Sequence, residues 1–172
     1  MTTTALQDLG ARLSRVEAAQ QVHNTLGRYM QLCDQPCADR SFPQLADLFT
    51  DDAVWEGTGK LYAGTFGRHQ GRAAIAAFVG AYLAPSTHFE RNLHFLTSAQ
   101  VCIDAGGASA RGQWLMLQLS TYGEGGAQAI TARLNVDFAP APDGRWLISH
   151  FRTERLEAVP WQQQERSTEQ PA

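Results

Sequence analysis

No stretch of this 172-residue chain approaches the roughly 18 consecutive apolar residues that a membrane-spanning helix needs. The N-terminus, Met1-Thr2-Thr3-Thr4-Ala5, has no basic segment leading into an apolar core, so no signal peptide is expected and a cytoplasmic location follows. Cysteine is scarce: Cys33, Cys37 and Cys102 are an odd number, and the CxxxC of the first two has no second cluster. That fits neither a disulfide scaffold nor a zinc site. All three are expected to be reduced thiols, with Cys33 and Cys102 acting as small buried hydrophobes among apolar neighbours. Positive charge is also thin. The 14 basic residues are scattered and the formal net charge is -3, so nucleic acid has no electrostatic footprint to bind. The glycines of Gly64-Thr65-Phe66-Gly67 precede no lysine of P-loop type, and no internal repeat is visible.

What remains is the composition of an ordinary globular protein, 44% hydrophobic and 18% charged, long enough for one domain with a full core. A single domain is expected over residues 1–158, followed by a polar tail, 159–172, that is mobile or reaches a neighbouring subunit.

Leu6, Leu9, Leu13, Val16, Ala19, His23, Leu26, Met30 and Cys33 recur at spacings of three and four, the period of one helical face packed on a core. This helix must stop near Asp34, because Pro36 forces Gln35 out of the helical region. Ser41 is a candidate cap for a short second helix through Phe49, broken by Thr50-Asp51-Asp52. Ala53–Glu56 and Lys60–Phe66 read as two strands joined at Gly57-Thr58-Gly59, and residues 71–83 as a third helix with Ile75, Phe78, Val79 and Tyr82 on one face. Four long strands are expected at about 88–104, 108–121, 128–139 and 145–157, joined by short glycine-rich or proline-rich turns and therefore antiparallel. Helices segregated from strands in this way give an α+β fold, helices on one face of a curved, mainly antiparallel sheet that encloses a pocket. In Trp114-Leu115-Met116-Leu117-Gln118-Leu119, one parity can line that pocket while the other packs on a second subunit, which makes a homo-oligomer the expected state.

Asp34 prolongs the buried stripe at the negative end of a helix, where a carboxylate is costly without a donor. It either turns into solvent to cap the loop at Gln35-Pro36 or meets a partner. Among the five histidines, His69 falls in a glycine-rich loop, His23 on a helix stripe, and His94 and His150 on strands without an identifiable acidic neighbour. His88 opens the first long strand beside Phe89, with Asn92 near it to fix backbone or substrate, the position a general base would take. Arg133 and Arg152 are candidate anion or carbonyl binders, against the commoner surface role of strand arginines. Trp55, Phe66, Phe78, Phe89, Trp114 and Met116 suit either a pocket for a ring-shaped hydrophobic ligand or plain core filling.

The succession Tyr29 to Asp34, Leu48 to Glu56, Gly71-Arg72-Ala73-Ala74-Ile75, His88-Phe89-Glu90-Arg91-Asn92 and Asp143 to Ile148 resembles the SnoaL-like members of the nuclear-transport-factor-2-like (NTF2-like) superfamily, over about residues 10 to 157. It is most similar to the branch of scytalone dehydratase, bile-acid 7α-dehydratase and hexachlorocyclohexane dehydrochlorinase. That resemblance implies a cone-shaped fold and an Asp34–His88 dyad, with Tyr29 as a hydrogen-bond donor. It also implies a lyase or isomerase on a hydrophobic cyclic or polyketide-like molecule, working without metal or cofactor. The sequence departs from the fungal dehydratase in lacking a histidine between Ala110 and Leu119, where only Arg111, Gln113 and Gln118 are polar. The alternatives are a polyketide cyclase, or a non-catalytic binder such as the small subunit of a ring-hydroxylating dioxygenase. A dimer or trimer is expected, and a substrate site that includes Trp55, Phe89, Asn92, Trp114, Met116 and Arg133.

Overall fold

The computed structural model describes residues 2–34, 42–83, 86 and 88–161. The described elements run α1 (Thr3–Cys33), α2 (Phe42–Ala46), β1 (Phe49–Thr58), α3 (Gly59–Phe66), β2 (Arg68–Gln70), α4 (Arg72–Gly80), β3 (Phe89–Ile103), β4 (Ala110–Tyr122), β5 (Ala127–Pro140) and β6 (Trp146–Pro160). The sheet order is β2-β1-β6-β5-β4-β3, so β3 and β2 are its open edges. The last four strands pair antiparallel in sequence order, and β1 joins parallel to β6. The result is an open, mixed six-stranded sheet with the helices against it, an α+β cone. No described helix is long and apolar enough to cross a membrane.

The four long strands fall where their alternation puts them. In β4, Ala110, Trp114 and Met116 are buried while Leu115 and Leu117 face out, the period-two pattern of a sheet with one covered face. Gly112 is required there, because a Cβ would overlap the Trp114 indole that lies across it. β6 continues to Pro160, three residues past its expected end, and residues 162–172 lie outside the described set. So do Pro36, Cys37 and the expected Ser41 cap.

Three expectations are corrected. Helix α1 forms as its period requires, but only its second half packs on the core. Val22, Leu26, Tyr29, Met30 and Leu32 are buried, whereas Leu6 is 54% and Val16 66% exposed. The early part of the stripe finds no surface among the described residues to cover it. The second correction is Lys60–Phe66, which is helix α3 and not a strand. Gly59 adopts φ +70, turning the chain out of β1, and the rings of Tyr62 and Phe66, one helical turn apart, meet at 4.5 Å. Gly57 lets the two segments close, since a Cβ there would come within 2.6 Å of the Tyr62 carbonyl oxygen. Cys102 is exposed, contrary to expectation, because its position in β3 belongs to the outward row, while Cys33 is buried.

Candidate active site

Helix α1 delivers its last turn to the edge strand β3. The Asp34 N–H still donates to the Met30 carbonyl at 2.9 Å, but its backbone is already extended, which swings the side chain toward the strand. There one carboxylate oxygen, Oδ1, accepts from the His94 main-chain N–H at 2.9 Å and lies 2.8 Å from His94 Nδ1. An edge strand leaves outward N–H groups without a ladder partner, and Asp34 satisfies one of them. The partner that the buried-stripe position demanded therefore exists, but it is His94, not His88. His88 lies six residues earlier, up to roughly 20 Å along an extended chain, so one carboxylate cannot serve both. The exposed His88 ring sits edge-on to Tyr82, Phe89 and Tyr122 at the rim of the cavity.

A carboxylate 2.8 Å from Nδ1 requires a proton on that nitrogen in either charge state of the ring. Neutral His94 then keeps its lone pair on Nε2. The His94 side chain is only 9% exposed and belongs to the wall of a cavity of about 230 Å³ enclosed between the sheet, α1, α3 and α4. The wall is rich in aromatic rings. Trp55 stacks on Phe151 at 5.6 Å and packs on Phe78 at 4.9 Å, and His69 stacks on Phe78 at 3.8 Å while bonding the Phe66 carbonyl. His69 is thus fixed in β2 and is not in an exposed loop.

A second polar group stands beside the pair. Asn92 is buried, donates to the Cys33 carbonyl at 3.4 Å, and accepts from Gln118 and Ser120 at 2.9 and 2.8 Å. Tyr29, one turn before Cys33, accepts from Trp55 Nε1 at 3.0 Å and is linked by a side-chain hydrogen bond to Cys33. Burial first, and then the neighbouring Cys33, hold the Tyr29 phenol well above its ordinary pKa, so it remains a neutral O–H.

Of the residues singled out in the sequence, Tyr29, Trp55, His88, Phe89, Asn92 and Met116 line this one cavity. Trp114 and Arg133 do not. Trp114 fills the core against Phe138 and His23, and Arg133 lies on the opposite sheet face, paired with Glu154 at 3.0 Å. Arg152 is likewise outward, paired with Asp137 at 2.8 Å. Sequence reasoning missed His94, Gln118, Ser120 and Arg155. A signal for His94 was available: it stands two residues after Asn92 and so shares its face of the strand.

A cone-shaped α+β fold around a cavity rich in aromatic side chains, with a carboxylate-bonded histidine in its wall, belongs to the class of folds that hold a small molecule. The chain belongs to the SnoaL-like domain family, whose model matches residues 14–152. No curated protein matches the sequence. Among solved structures it is similar in fold to a type 3 LinA, a hexachlorocyclohexane dehydrochlorinase from Novosphingobium barchaimii LL02. That likeness has a TM-score of 0.71 and 18% identity over 87% of this chain and 94% of the other. ActVI-ORFA from Streptomyces coelicolor aligns with a TM-score of 0.60 and 17% identity over 80% of this chain and 96% of that one. An NTF2-like protein with a cystatin-like fold from Novosphingobium aromaticivorans gives 0.68 and 23% identity over 88% and 90%.

Proposed function

We propose that the protein is a cofactor-independent lyase or isomerase that acts on a small hydrophobic cyclic molecule. His94 is its general base, Asp34 the residue that orients the base, and Tyr29 a hydrogen-bond donor. The observation that carries this reading is the 2.8 Å contact between Asp34 and His94 Nδ1, which turns the free lone pair of Nε2 over to an apolar cavity. Nε2 removes a proton from a carbon next to an electron-withdrawing group, and Asp34 stabilises the imidazolium that forms. The electron pair left by the C–H bond forms a double bond as halide departs from the adjacent carbon, or as a hydroxyl departs and takes the proton now held on Nε2 to leave as water. In an isomerisation the proton returns elsewhere. The similar fold of a dehydrochlorinase, by name an eliminating enzyme, supports the lyase form. A volume of about 230 Å³ suits one or two rings, since a cavity of about 150 Å³ already holds benzene.

The test is turnover of a panel of hydroxylated and halogenated monocyclic compounds by the native protein and by His94→Ala and His88→Ala. A positioned base contributes about 10² to 10⁴-fold, so His94→Ala should lose that much. Full turnover in His94→Ala would sink the mechanism, and a large loss confined to His88→Ala would return the base to the cavity rim.

The same reading includes self-association as a dimer or trimer. Phe95 and Leu117 are cross-strand partners on the face away from the cavity, and Phe95 is 50% exposed. Together with Leu115 they leave an apolar strip of the kind usually covered by another chain. Leu117→Glu should lower the molecular mass measured by light scattering, and an unchanged mass would remove this strip from any interface.

A further inference from the structure

Arg155 is the one permanently charged side chain among the described residues that line the cavity, and none of those residues is Asp or Glu. It follows Phe151 and Thr153 at every second position of β6, so the inward row of that strand ends in a cation. The β5–β6 register shifts at the next residue: Arg155 pairs with Ala132 and Glu157 with Thr131, leaving Leu156 as a bulge. Bulges of this kind occur beside binding sites because they bend the strand and re-aim a side chain.

The guanidinium is held on one side by the ring of Tyr62, 5.2 Å from its centroid. Its Nε is buried and has no hydrogen-bond partner among the described residues. No carboxylate of the described residues lies within 4.0 Å of it, although Arg133, Arg145 and Arg152 all have one. A half-buried guanidinium with a buried, unused N–H is costly unless a hydrogen-bond acceptor completes it, best of all an anion. Everything else in the wall is neutral or apolar except the histidines, so the missing partner must come from what enters the cavity.

We propose that Arg155 anchors a carboxylate of the ligand, so that the substrate class is a small cyclic or aromatic carboxylic acid. The Nε–H and an adjacent terminal N–H form a fork that matches the two oxygens of a carboxylate, a geometry that lysine does not reproduce. Arg155 fixes one end of the molecule while the ring lies along Trp55 and Phe151 toward His94. This rests on the reading of the cavity as a substrate site, but its test is binding and not turnover.

The experiment measures the affinity of acid and amide pairs, benzoate against benzamide and cyclohexanecarboxylate against cyclohexanecarboxamide, by calorimetry or ligand-observed NMR. The proteins are the full-length native chain, Arg155→Gln, Arg155→Lys and His94→Asn, each checked for a native circular dichroism spectrum. The native protein should bind each acid at least about tenfold more tightly than its amide. Arg155→Gln should make the two equal, Arg155→Lys should keep only part of the preference, and His94→Asn should keep it. Equal binding of acid and amide by the native protein, no binding of either acid, or a preference that survives Arg155→Gln would each overturn the proposal. A preference abolished by His94→Asn but not by Arg155→Gln would place the anion on the imidazole and overturn it too. If Arg155→Gln does not fold, the native acid-to-amide ratio together with Arg155→Lys decides. Turnover lost in His94 variants bears on the base alone, so the two readings fail separately.

Discussion

The two faces of the sheet each carry a histidine bonded to a carboxylate at nearly the same distance, and they differ in what the other ring nitrogen does. On the inner face His94 Nδ1 meets Asp34 at 2.8 Å, and its Nε2 is left for the cavity. On the outer face His150 Nε2 meets Glu56 at 2.7 Å, and its Nδ1 faces an Arg152 N–H at 2.7 Å. Arg152 passes the chain on to Asp137, so both ring nitrogens of the outer histidine are occupied. The outer ring is also wetter, 25% against 9% exposed. A histidine–carboxylate contact is therefore not in itself a sign of acid–base chemistry; a spare lone pair in a dry, shaped space is.

The largest expected effect breaks that comparison if it fails. His94→Ala should cost about 10² to 10⁴ in turnover, whereas His150→Ala should leave turnover within a few fold and alter stability by about 1 kcal/mol or less, the usual scale for a partly exposed ion pair. Comparable losses in both would mean that the spare nitrogen is not the distinction that matters. The next effect sharpens it. Asp34→Asn keeps a carbonyl oxygen for the His94 main-chain N–H, so β3 should stay docked on α1. The same oxygen then stays against Nδ1–H as a neutral acceptor, so the imidazolium that forms on proton transfer loses the carboxylate charge that stabilises it. Turnover should fall by about 10² with an unchanged melting temperature. On the outer face Glu56→Gln should change neither by a comparable amount.

The elements of this fold were largely legible because they follow from local periods: the helical stripe through Cys33 and the alternation in β4 need no knowledge of their partners. What the pattern could not reveal was register. Whether Asp34 meets His88 or His94 depends on where a helix end docks along a strand 60 positions away, and that is fixed by the tertiary packing of Val22, Leu26 and Met30 and by the Asn92 bond to the Cys33 carbonyl. Helix α3 was misread for a related reason. In Lys60–Phe66 the apolar positions fit both periods, and the deciding contact is the close approach of Gly57 to Tyr62, a tertiary fact. Arg155 was overlooked in favour of Arg133 and Arg152, although strand parity places it with Phe151 and Thr153 and places both of the others on the far side.

The smallest effect separates the faces by alkaline pH. Tyr29 is buried in the cavity wall and its pKa is raised well above 10.0, first by burial and then by Cys33, against the opposing hydrogen bond from Trp55. In the unfolded chain the same phenol ionises near its ordinary value of about 10. The folded state therefore holds its proton more tightly. The stability this contributes is fully present below about pH 9, and it drains away as the pH rises past 10 toward the folded pKa. The outer network of Glu56, His150, Arg152 and Asp137 contains no phenol. Denaturant unfolding of the native protein should thus show a steeper loss of stability between about pH 9 and pH 11 than Tyr29→Phe, even though the variant starts lower because the Trp55 N–H has lost its acceptor. Parallel losses in the two proteins would mean that Tyr29 reaches water, and with it that the cavity is not the dry space on which the contrast between His94 and His150 depends.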